Sequence, residues 1–80
     1  MDATLTQYWP VLLKNPGGEE ITVVVAYPRK PSDEIAAGLV RMQLGMPIKP
    51  PPEFRFQEEA CLRALEAAGY RMLGIGPRQQ

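Results

Sequence analysis

TLTQYWPVLLKNPGGEEITVVVAY, residues 4–27, holds two runs of strand-forming side chains around one turn. Tyr8, Trp9, Val11, Leu12 and Leu13 carry the first run, and Ile21 to Tyr27 the second. Asn15-Pro16-Gly17-Gly18 stands between them. Proline fixes φ at the second turn position and glycine is free to take positive φ at the third, so a type II turn is expected there. Residues 4–27 therefore predict a β-hairpin. Proline has no N–H for a ladder, so Pro10 predicts an edge strand, or one that begins only at Val11. The second run is apolar on both of its faces, Ile21, Val23, Val25 and Tyr27 on one and Val24 and Ala26 on the other, and so predicts the central strand.

Beyond the hairpin, Pro28 and Pro31 end the second strand. Ser32 follows as an N-cap, and Asp33 and Glu34 sit where a helix dipole favours negative charge. A helix is expected over 33–44. Ile35, Leu39, Met42 and Met46 form its apolar stripe, with Ala36 and Val40 on the flank and Gly45 as the stop. Residues 46–52 (MPIKPPP) read as a stiff, proline-rich connector. Residues 53–56 suit either a short strand or the start of a helix. A second helix is expected over 57–68, with Glu58 and Glu59 in its first turn, Cys61, Leu62, Leu65 and Ala68 as its stripe, and a Glu59–Arg63 ion pair. Gly69 closes it. A last strand over 70–75 and a polar tail over 77–80 complete the chain. The fold class is α+β in the order ββααβ: a three-stranded sheet with two helices packed on one face, in a single small domain spanning 1–80.

Eighty residues leave a small core, and domains of this size often gain support from disulfides, metals or a partner subunit. One cysteine forms no internal disulfide, and without histidine a zinc site lacks ligands. No metal or cofactor is expected, and oligomerisation, as a homodimer, is the remaining support. Nine Lys and Arg balance nine Asp and Glu, which removes long-range attraction to phosphate. The single cysteine, the absence of a basic, apolar leader and the shortness of every apolar run point to a soluble cytoplasmic protein with no membrane partner.

Catalytic groups are scarce. Cys61 lies in a helix stripe with no imidazole to activate it, so core packing is its expected role. Glu19-Glu20, Asp33-Glu34 and Glu58-Glu59 pair carboxylates, but neighbours on a helix point about 100° apart and do not converge. Gly74-Ile75-Gly76-Pro77 follows a strand and opens no helix, so it fails as a nucleotide loop.

The strand-helix-helix-strand order resembles that of KH-type RNA-binding domains. Such domains clamp the nucleic-acid backbone with a GxxG loop between the helices. The segment here, Leu44-Gly45-Met46-Pro47-Ile48-Lys49-Pro50, has a single glycine, so no binding residue is carried over. Small size, balanced charge, no catalytic set and a hydrophobic hairpin are also similar to the small inhibitor and accessory proteins encoded by bacteriophages, including anti-defence proteins. The expected function is thus non-enzymatic protein binding, with nucleic-acid binding as the alternative. Tyr8, Trp9, Val11 and Leu13 on the hairpin, with Arg29, Lys30, Lys49 and Arg55 nearby, form the expected partner surface. Trp9 could equally fill the core.

Overall fold

The computed structural model describes residues 6–47, 49–50, 52–54 and 58–79. Two strands, β1 (Gln7–Lys14) and β2 (Glu20–Tyr27), form the hairpin, followed by helix α1 (Asp33–Gln43). A single 3-10 turn at Pro52–Phe54 precedes helix α2 (Ala60–Ala67) and strand β3 (Arg71–Ile75). The three strands make one antiparallel sheet in the order β2-β1-β3. The α+β class, the ββααβ order and the three-stranded sheet are those expected. Arg55, and with it the end of the strand-or-helix question at 53–56, lies outside the described residues; Phe54 ends the 3-10 turn.

The centre of the sheet is β1, not β2. Pro10 sits in it opposite Val24, and its carbonyl accepts from the Gly76 N–H at 2.8 Å. In an antiparallel strand the N–H and C=O of one residue point the same way, so the missing donor faces the side where β3 has already ended at Ile75. At most one bond is forfeited, the reciprocal one to Gly76 O, and it lies at the end of the ladder. Gly76 is required beside it, since a Cβ there would come within 3.0 Å of the Pro10 ring.

The turn also differs from type II. Gly18 N donates to Asn15 O and Asn15 N donates to Glu19 O, which closes a three-residue loop. Positive φ falls at Gly18 (87°) rather than at Gly17. This is the arrangement of a type I turn followed by a left-handed residue, which suits the right-handed twist of the flanking strands. The Asn15 side chain reinforces it by accepting from Glu19 N at 2.9 Å.

Ser32 caps α1 by accepting from Ile35 N at 3.2 Å. Both helices end in the same motif: Gly45 N and Met46 N donate to Met42 O and Arg41 O, and Gly69 N and Tyr70 N to Glu66 O and Leu65 O. Gly45 and Gly69 supply the left-handed residue, and Met46 and Tyr70 fold back on the core.

The core face of α1 is rotated from the expected stripe. Ala36, Ala37, Val40 and Arg41 are buried, Ile35 and Leu39 are half-buried, and Met42 is exposed. Small side chains let the helix lie close to Trp9, Val11, Leu13 and Val25, which form the core with Leu65 of α2. The second helix is shorter than expected. Glu58 and Glu59 precede it, and Glu59 takes a left-handed conformation with φ 57° and makes no side-chain cap. The cap comes instead from α1: Glu34 Oε2 accepts from Cys61 N at 2.8 Å and Oε1 from Leu62 N at 3.0 Å. Two of the orphan donors of α2 are thereby satisfied, and its positive end faces a carboxylate.

Candidate protein-binding surface

Strand alternation divides the hairpin between two environments. On the helix side, Trp9 is 8% exposed and Val11 and Leu13 are fully buried. The Trp9 indole donates to Tyr27 O at 3.1 Å, so its one polar group is satisfied within the chain. These three expected contact residues are core, with no free surface to offer a partner. Tyr8, of the same expected set, points the other way and is 53% exposed.

Among the described residues, no helix covers the second face. Tyr8, Leu12 and Val24 are all exposed there, and Leu73, the extra residue where β3 shifts register against β1, is exposed between Met72 and Ile75, which both pack on the core. Leu12, Val24 and Leu73 are members of this face that the expected set lacks. The signal was available in the period-2 pattern, which places Tyr8 and Leu12 together and Trp9, Val11 and Leu13 together.

The free edge of β2 borders this face. Val24 O accepts from the Gln43 side chain at 3.1 Å, while its partner Pro10 bonds towards β3, so backbone groups of the Pro10–Val24 pair point away from each other. By the same alternation Glu20, Thr22 and Ala26 also direct N–H and C=O outward. Beside this edge runs an open groove of about 320 Å³ lined by Val25, Ala26, Leu39, Met42 and Gln43. Met42 is 51% exposed at its rim.

Arg29 and Arg71 stand at opposite ends of the sheet. Arg29 and Lys30 are exposed beyond the end of β2, and the Arg29 guanidinium lies over the Tyr27 ring at 5.6 Å from its centre. Arg71 starts β3 opposite Lys14, at the other end of the sheet. Lys49 is exposed in the connector, and Arg55 lies outside the described residues.

Cys61 is half-buried at the start of α2, where the helix dipole by itself would favour a thiolate. The opposite holds. Burial pushes its pKa up, the hydrogen bond and negative charge of Glu34 push it further, and Arg41 only partly offsets them. Among the described residues, no group of three or more His, Cys, Asp or Glu could hold a metal, and no helix is long and apolar enough to cross a membrane. Compared with known proteins, the chain matches no family model, no curated protein and no solved structure.

Proposed function

We propose that this chain is a non-enzymatic protein-binding module acting through the uncovered face of its sheet. The observation that supports this reading most is the line of Tyr8, Leu12, Val24 and Leu73, large apolar side chains left in water on a face that the chain's own helices do not cover. Aromatic and aliphatic groups held on a rigid sheet lose little entropy when a partner covers them. An inhibitor or accessory protein, which acts by occupying its target, needs nothing more. Nucleic-acid binding is less favoured because Arg29 and Arg71 stand at opposite ends of the sheet. A photo-crosslinking residue placed at Tyr8 or at Leu73 should give a discrete adduct with one protein in the native host. The same residue at exposed Glu66 on α2 serves as control. Adduct formation at Tyr8 and Leu73 no greater than at Glu66 overturns the reading.

A further inference from the structure

The free edge of β2 is polar at both ends and opposite in sign. Glu19 and Glu20 stand at its start, and Arg29 and Lys30 follow its end; all four are exposed. Between them Thr22, Val24 and Ala26 present outward-facing backbone, with Val24 at the middle of the strand. A strand that is acidic at one end and basic at the other is complementary to itself when a second copy lies antiparallel to it.

We infer that a second copy of this chain pairs along β2, with the two-fold axis at Val24, joining two three-stranded sheets into one of six strands. In that register Glu19 lies opposite Arg29 of the partner and Glu20 opposite its Pro28, and by symmetry each contact occurs twice. Val24 meets its own counterpart on the uncovered face, and the grooves lined by Leu39 and Met42 meet across the axis on the helix side. A parallel arrangement sets like charges together and is disfavoured. Two side chains must move: Gln43 swings away from Val24 O, which then accepts from the partner's backbone, and Arg29 extends from the Tyr27 ring toward the partner's carboxylate. Gln43 is exposed and free to reorient. Its bond serves as a removable cover on an edge that would otherwise stand open. The other edge needs no such cover, because β3 is short, irregular in register and followed by Gln79, whose N–H returns to Tyr8 O at 2.9 Å.

This inference goes beyond the proposed contact face, because it uses the edge of β2 and leaves Tyr8, Leu12 and Leu73 uncovered. Sedimentation equilibrium of the full chain tests it directly. The wild type should form a dimer. Arg29→Glu and Glu19→Arg, each alone, should raise the dimer dissociation constant about tenfold, since each removes two symmetric ion pairs and adds repulsion. The double exchange in one chain should restore the wild-type constant. Val24→Lys should abolish pairing by setting two ammonium groups together at the axis, whereas Gln43→Ala should strengthen it by several-fold. Circular dichroism and the thermal midpoint of each variant at dilute, monomeric concentration establish that the fold is intact. A chain monomeric throughout, or a dimer indifferent to the charge exchange and to Val24→Lys, overturns the inference. Either result leaves crosslinking from Tyr8 and Leu73 to a different protein as a separate measurement.

Discussion

Glu34 satisfies a local rule for α1 and yet serves α2. Its place in the first turn is where a dipole argument puts a carboxylate, but both oxygens reach the N–H groups of Cys61 and Leu62. Deleting it leaves two half-buried donors unpaired. Glu34→Ala should therefore lower the free energy of unfolding by about 2 kcal/mol in a urea titration, and Glu34→Gln, which keeps one acceptor, by less. Nothing in the sequence pairs position 34 with position 61, since the contact exists only once two helices have packed. The Ser32 cap and the stops at Gly45 and Gly69 were legible because each is decided within one helical turn. The same carboxylate adds to the effect of burial on Cys61. Its pKa in the folded chain is raised above the unfolded value, first by burial and then by the hydrogen bond and charge of Glu34. The thiol's contribution to stability is thus fully present below that value and is lost as pH rises through the folded pKa. Wild type should lose stability relative to Cys61→Ala between neutral and strongly alkaline pH. Thiol-specific labelling at neutral pH should be slow in the native chain and fast in denaturant.

Elements reveal where composition misleads. Both faces of β2 are apolar, which reads as a central strand, yet Val24 and Ala26 are exposed and the strand is an edge. Which strand β3 joins is a long-range choice, and local propensity carries no record of it. Pro10 misled in the opposite direction, because its donorless side faces Gly76 just past the end of β3, where only a terminal ladder bond is missing. On α1, bulk suggested a core stripe through Ile35, Leu39 and Met42, whereas close packing selects Ala36, Ala37 and Val40. Glycines give a direct check on these elements. Gly17→Ala should be nearly neutral and Gly18→Ala should cost about 1 kcal/mol, the reverse of a type II turn, since only Gly18 has positive φ. Gly38 is helical and a Cβ there would meet Cys61 Sγ at an ordinary 3.5 Å, so Gly38→Ala should raise stability by about 1 kcal/mol. Gly69→Ala should do the opposite, because φ is 98° and the new Cβ would press on Pro16 at 3.0 Å. Chemical denaturation of the four variants reads the order.

At the scale of the whole molecule, one sheet separates two kinds of apolar residue that composition counts alike. The buried kind sustains the fold. Trp→Ala truncations in cores cost about 3–5 kcal/mol, and a domain of this size has little more than that in total. Trp9 also gives its indole N–H to Tyr27 O, so Trp9→Ala removes a cross-strand tie between β1 and β2 along with the packing. The exposed kind contributes little to folding, since Leu12 and Leu73 keep much of their surface in water in the native chain. Substitutions on the two faces should then have opposite consequences. Trp9→Ala should leave the chain largely unfolded at room temperature, whereas Leu12→Lys and Leu73→Lys together should shift the thermal midpoint by no more than a few degrees. If the exposed face is a contact surface, the lysine pair abolishes crosslinking from Tyr8 while circular dichroism stays that of wild type. Cooperative unfolding of the lysine pair at far lower temperature would instead assign Leu12 and Leu73 to the core and leave the sheet without a working face.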